Sequence, residues 1–203
     1  MRSKMSVDIH PRKIRGKWAE GYALDLHTVS STFVGHNAYG HPQFDSVRSE
    51  MGELLYKLKY GGSNAAVKSI AETAAKFLEE QWPIRLDLIV PVPPSNTGRK
   101  RQPVLEVAKE LSVNSGIELC LSGVTKIKQT PQLKDIYDLK ERVAALDGAF
   151  AVDRGKIAGK RVLLFDDLFR SGATMNTIAE RLIEDGKAKI VYALTLTRTR
   201  SSL

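Results

Sequence analysis

The sequence predicts an α/β fold, a mostly parallel central sheet flanked by helices. Three observations predict it. Two short apolar runs, at residues 86–92 and 162–165, have the composition of strands buried on both faces, as in parallel sheets. Segments whose apolar residues recur at helical spacing lie between and after these runs. Both runs lead into a loop of small or polar residues and then into such a segment, the strand–loop–helix order of an open α/β sheet. Ligands of such sheets bind at the carboxyl ends of the strands.

A chain of 203 residues fits one domain, here 18–203, preceded by a basic tail, 1–17. Hydrophobic content of 42% and charged content of 27% are those of an ordinary globular protein. No apolar run approaches a membrane span, and no apolar stretch follows the charged N-terminus. A cytoplasmic protein without a secretory signal or membrane partner is therefore expected. Cys120 is the single cysteine, which excludes an internal disulfide and a multi-cysteine zinc site; it sits in the apolar stretch 117–121 as a buried thiol. Lysine and arginine outnumber acids 31 to 23, a net charge of +8, which suits an anionic ligand such as a pyrophosphate-bearing sugar, a nucleotide or nucleic acid.

The elements follow in order. The tail holds Arg2, Lys4, Arg12, Lys13, Arg15 and Lys17 against Asp8, and reads either as a frayed end or as a tether to nucleic acid. Residues 18–31 have strand-like patches, notably 21–26, and 37–42 form a loop. His27, His36 and His41 match no metal-binding spacing and read as loop or packing residues. Residues 46–60 read as a helix with a stripe of Val47, Met51, Leu54, Leu55 and Leu58, stopped by Gly61 and Gly62. A second helix spans 64–81, with Val67, Ile70, Ala71, Ala74, Phe77 and Leu78 on one face. After the strand at 86–92 comes the loop Ser95, Asn96, Thr97, Gly98, Arg99, Lys100, then a helix carrying Val104, Leu105, Val107, Ala108 and Leu111. Main-chain donors and cations in that loop suit a pyrophosphate, or the loop is a basic surface turn. A short strand follows at 117–121. The polar stretch 124–145, partly helical from 134, is long enough to serve as a lid, with Lys126, Lys128 and Arg142 as its candidate ligand-facing cations; the alternative is a solvated charged surface. Residues 149–152 are a strand, 155–160 a turn and 190–197 a last strand rich in β-branched residues.

The most informative stretch is 162–174. Four apolar residues lead to Asp166 and Asp167; Arg170, Ser171, Gly172, Ala173 and Thr174 follow, and then a helix with Ile178, Ala179, Leu182 and Ile183. The N-terminus of that helix offers free N–H groups and positive dipole to an anion. Carboxylates at the end of the strand suit the hydroxyls of a sugar.

This stretch resembles the phosphoribosyl-pyrophosphate (PRPP) signature of type I phosphoribosyltransferases. Residues 58–61, 89–93, the basic segment 98–102, 126–142, 148–150 and the signature, in that order, resemble the ComF-like (competence protein F) family with this fold. The resemblance implies that Asp166 and Asp167, as the catalytic pair, hold the ribose 2′- and 3′-hydroxyls and meet Mg2+ indirectly, through Mg-PRPP. It also implies that Arg170–Thr174 wrap the 5′-phosphate, with Arg170 either paired to it or facing solvent. The implied activity is transfer of phosphoribosyl to a nitrogen acceptor, a nucleobase, with release of pyrophosphate. The implied partners are PRPP and that acceptor, and a homodimer is usual for the fold. The resemblance also implies a small N-terminal hood, here about 18–60, beside a core at about 61–203; Trp18, Tyr22, Phe33, Tyr39 and Phe44 of that hood are candidates to stack on a base or to form its own small core. Two departures from the family pattern stand out. An N-terminal four-cysteine zinc ribbon is missing, and the usual Arg-Gly-Phe-Asn-Gln after the basic loop is here Arg101-Gln-Pro-Val-Leu. The second departure keeps open a non-catalytic regulator that binds PRPP or a nucleotide. The basic termini keep open an accessory protein of DNA uptake that binds nucleic acid.

Overall fold

The computed structural model describes residues 7–95, 98, 101–131, 136 and 138–200. In chain order, Arg12–Lys13 (β1) and Gly21–Leu26 (β2) precede a long hairpin, Thr28–His36 (β3) and Pro42–Arg48 (β4). Helices Glu50–Gly61 (α1) and Asn64–Lys76 (α2) follow, and α2 runs into a wider turn at Phe77–Gln81. Then come Leu88–Pro91 (β5), Pro103–Ser115 (α3), Glu118–Leu119 (β6), Val124–Lys126 (β7), Leu139–Ala145 (α4) and Phe150–Val152 (β8). Arg154–Ile157 (α5), Arg161–Phe169 (β9), Ala173–Glu184 (α6) and Ile190–Arg198 (β10) complete the chain.

Among the described residues the main sheet has six strands in the order β1-β2-β10-β9-β5-β6. Only β1 pairs antiparallel; β2, β10, β9, β5 and β6 all run parallel. Alternate residues of the central strands enter two cores. Val90, Val162, Leu164 and Ala193 face α6, where Ile178, Ala179 and Leu182 are buried. Ile89, Leu163, Phe165 and Leu194 face α1, α2 and α3, through Met51, Leu55, Ile70, Val107 and Leu111. Both faces are covered, which is why these strands read as unbroken apolar runs. Among the described residues no helix is long and apolar enough to cross a membrane.

Several elements differ from expectation, each for a local reason. Residues 46–48 belong to β4 and not to the first helix, and Val47 is 57% exposed. Ser49 starts α1 instead: its Oγ accepts from the Gly52 N–H (3.0 Å) and donates to the Leu26 carbonyl (2.5 Å). A cap used in this way fixes the first turn. The polar stretch 124–145 opens with β7, which pairs antiparallel with β8. Residues 154–157 wind into the short helix α5 where a turn was expected.

Of the span expected to form the hood, Gly21–Leu26 lies inside the main sheet beside β10, and α1 packs against it. The part that stands away is the β3–β4 hairpin, most of whose residues are exposed on both faces. The tail is anchored from residue 7 onward. The Val7 N–H donates to Thr73 Oγ1, Ile14 is 4% exposed, and Trp18 Nε1 donates to the Ile14 carbonyl. Cys120 is buried, as expected.

The seam between α1 and β2 is tight. A Cβ at Gly52 would collide with the carbonyl oxygen of His27, a main-chain atom that cannot step aside. Gly52→Ala is expected to cost about 1–3 kcal/mol, as overpacking does. Thermal denaturation should show Tm lowered by about 2–10 °C.

Candidate functional site

The site forms where β9 runs past its apolar stretch. Pairing with β10 continues to Phe169, opposite Arg198, so Asp166 and Asp167 sit within the strand and not beyond it. Neighbouring strand residues point to opposite faces. Asp166 accordingly turns to a cavity of about 130 Å3 lined by the loop 168–172, the start of α6 and Arg142. Asp167 turns to α1, where Lys59 Nζ lies 2.7 Å from its Oδ2.

The loop can turn from strand to helix because Gly172 has φ 75°. A Cβ there would also lie 2.8 Å from the Phe169 ring and 3.0 Å from the Asn176 amide. The Gly172 carbonyl accepts the first helical bond, from the Asn176 N–H. The N–H groups of the first turn therefore have no partner within the helix, and residues 172–175, at the positive end of its dipole, line the cavity.

Asp166 is a costly residue here. It is largely buried, and burial first, then the Asp167 carboxylate, push its pKa up to about 8, against the pull of the Asp167 N–H and Lys59. That N–H donates to Asp166 Oδ1 at 2.8 Å. Asp167 is held differently. Thr197 Oγ1 donates to its carbonyl at 3.1 Å, and His27 Nδ1 lies 3.3 Å from the same hydroxyl. Burial first, then Lys59 and Arg48, lower the pKa of His27; because Thr197 Oγ1 gives its proton to the Asp167 carbonyl, it accepts from Nδ1. Thr195, opposite Asp166 in the register, is fully buried and its Oγ1 has no hydrogen-bond partner.

The structure brings Asp166, Arg170, Ser171, Gly172, Ala173, Thr174 and Arg142 to one cavity. Asp167 is adjacent in the chain but faces away, toward Lys59. Of the loop expected to hold pyrophosphate, Ser95 and Gly98 are exposed, and Asn96, Thr97, Arg99 and Lys100 lie outside the described residues. That loop leaves β5 next to the site, since the Val92 N–H bonds the Phe165 carbonyl. Arg142 Nε donates to the Ile136 carbonyl at 2.6 Å. Lys126 Nζ reaches Thr130 Oγ1 (2.8 Å) and Lys128 Nζ the Asp147 carbonyl (3.4 Å); neither lysine lines the cavity. Lys59, Thr197 and His27 were not singled out as site residues by sequence. Lys59 carried one signal, its place in the stretch 58–61 between a buried leucine and the stop of α1. Among the described residues no group of three histidines, cysteines or acids could by itself hold a metal ion.

The mostly parallel sheet with helices on both faces is a fold shared with solved phosphoribosyltransferase structures. The structure matches glutamine PRPP amidotransferase from B. subtilis with a TM-score of 0.50 and 19% identity, over 79% of this chain and 34% of that one. Adenine phosphoribosyltransferase from Saccharomyces cerevisiae gives 0.49 and 16%, over 86% and 90%. In sequence, the chain is 26% identical over 157 residues to competence protein ComFC of Bacillus subtilis (strain 168), covering 73% of this chain and 60% of that protein. The expected resemblance to the ComF-like family is thus found in a curated relative, of which this chain spans about three fifths. No protein-family model matches the chain.

The raised pKa of Asp166 has a signed consequence. Between about pH 4 and 8 the folded protein holds a proton at Asp166 that the unfolded chain has lost, so this carboxyl makes stability fall as pH rises. Asp166→Asn removes that dependence. Melting curves from pH 5 to 8.5 should show the variant more stable at the alkaline end, with Tm higher by about 2–4 °C for each kcal/mol relieved.

Proposed function

We propose that the protein is a phosphoribosyltransferase that uses Mg-PRPP. One observation carries the reading: Asp166 and the small-residue loop at the start of α6 share a single cavity at the carboxyl end of β9, in a fold of this class. The cavity couples a phosphate-type cradle to a sugar-type acceptor of hydrogen bonds, at a spacing set by one strand and one turn. In this reading the N–H groups and hydroxyls of Ser171, Gly172, Ala173 and Thr174, with Arg170, bind the 5′-phosphate. Asp166 and Asp167 accept from the ribose hydroxyls. Ser95, Asn96, Thr97, Gly98, Arg99 and Lys100 take the pyrophosphate, and Arg142, with Lys126 and Lys128, closes over it.

Magnesium suits this donor set, because it favours one or two carboxylates together with substrate phosphates. Asp166 and Asp167 would hold it through PRPP, and it supplies neutralisation of the leaving pyrophosphate. The reaction breaks the C1′–O bond, with the electron pair leaving on pyrophosphate, and forms a C1′–N bond as the nitrogen acceptor loses a proton to solvent. The chain's own residues orient the ribose and exclude water from the cationic C1′.

A ribose hydroxyl donates more strongly to an ionised carboxylate than to a carboxylic acid, so binding favours the form of Asp166 that has released its proton. Calorimetric titration with Mg-PRPP should show affinity rising by up to about tenfold per pH unit toward pH 8 and levelling above it. Asp166→Asn should weaken binding by about 100-fold or more and abolish pyrophosphate release. Gly172→Ala should weaken it at least about tenfold, because its Cβ strains the cradle. Absence of wild-type binding would remove the proposal.

The net charge of +8 and the name of the competence relative favour a second reading, an accessory protein that binds nucleic acid. Affinity for single-stranded DNA that falls steeply with salt, with no response to PRPP, would replace the first reading by the second.

A further inference from the structure

Lys59 is a cation that the reading above leaves without a task. It sits in the last turn of α1, where any basic side chain suits the helix dipole. That role needs no partner, yet Lys59 reaches across the fold to Asp167 at 2.7 Å, with the two side chains only 21% and 18% exposed. Both ends of the contact are fixed. Gly62, at φ 62°, ends α1, and its N–H returns to the Lys57 carbonyl; Gly52 seats the helix on His27. The main chain of Asp167 is pinned by Thr197 and, through it, by His27. One carboxylate oxygen of Asp167 is thus held, and Oδ1 has no hydrogen-bond partner among the described residues. A carboxylate with one oxygen against an ammonium and the other open is arranged to accept from a neutral donor.

We propose that Lys59 is a positioning residue for the sugar: its ammonium clamps Asp167 so that the second carboxylate oxygen meets a hydroxyl of a phosphorylated pentose. The proposal rests on the phosphoribosyl reading and deepens it. Lys59 acts through Asp167, so its contribution disappears once Asp167 cannot be charged.

The test is a double-mutant cycle on sugar binding, with PRPP and with ribose 5-phosphate, 2-deoxyribose 5-phosphate and 3-deoxyribose 5-phosphate as probes. Lys59→Met and Asp167→Asn should each weaken PRPP binding by about 10- to 100-fold, the loss of one charge-assisted hydrogen bond. The double variant should be no weaker than the weaker single one. Lys59→Met should also lose most of the preference for ribose 5-phosphate over one of the two deoxy sugars, and Lys59→Arg should restore it. A structural role alone would not produce that selective loss and rescue. Wild-type affinity in Lys59→Met, or losses that multiply in the double variant, overturns the clamp. If Lys59→Met fails to fold, undiminished affinity and selectivity in a folded Lys59→Gln overturns it equally. Failure of the wild type to bind any of these sugars instead overturns the phosphoribosyl reading, and the clamp with it.

Discussion

The site depends on one constraint, that β9 stays hydrogen-bonded to β10 beyond its apolar stretch. Beyond Phe165 the apolar run of the strand ends, yet the ladder continues through Asp166 and Leu168 to Phe169. Two carboxylates are thereby carried on rigid strand backbone to the edge of the sheet, where a loop would have left them mobile. The alternation of a strand then divides them, one toward α6 and one toward α1. A chain that turned at Phe165 would have the same residues and a much looser arrangement. The other anchor lies at the opposite end of the same strands. There Arg161 clasps Asp87 through two side-chain bonds and a main-chain bond and holds that carboxyl down to about 2, fixing β9 against β5.

The electrostatics of the acid pair follow from this division. Asp167 has a cation in contact and a pinned main chain, so its charge is matched locally. Asp166 has burial against it and a like charge beside it, with one main-chain donor and the Lys59 cation in its favour. The folded protein therefore carries an unfavourable group at the cavity wall. Such groups concentrate where ligands bind, because a ligand can supply the missing partners.

The sequence was most legible where local chemistry and tertiary role coincide. The runs 86–92 and 162–165 read as buried parallel strands because both of their faces are covered, and the turn from strand to helix after Asp167 read from its small residues because Gly172 needs its positive φ. Legibility failed where a partner distant in sequence decides. Residues 46–48 have apolar spacing that suits a helix, but Ser49 is tied to Leu26, which sets the helix start. Residues 21–26 read as strand, yet nothing local says that they enter the main sheet beside β10. Lys59 is one of many lysines until α1 is docked. Asp166 and Asp167 were read together as a pair, and only the register shows that they face opposite ways.

The β3–β4 hairpin has a mechanical consequence. It leaves the sheet directly after His27 and returns directly before Ser49. Its nine-residue first strand is about 30 Å long. Most of its surface is free of the body, and Phe33, Tyr39 and Phe44 are exposed along it. It is therefore a lever whose fulcrum is the stem. A tilt of 10° sweeps the tip through about 5 Å but moves the stem by a small fraction of that. The stem residues, His27 and Ser49, are the ones that meet Thr197 beside Asp167 and cap α1, so the hairpin's load falls on the supports of Asp167 and Lys59.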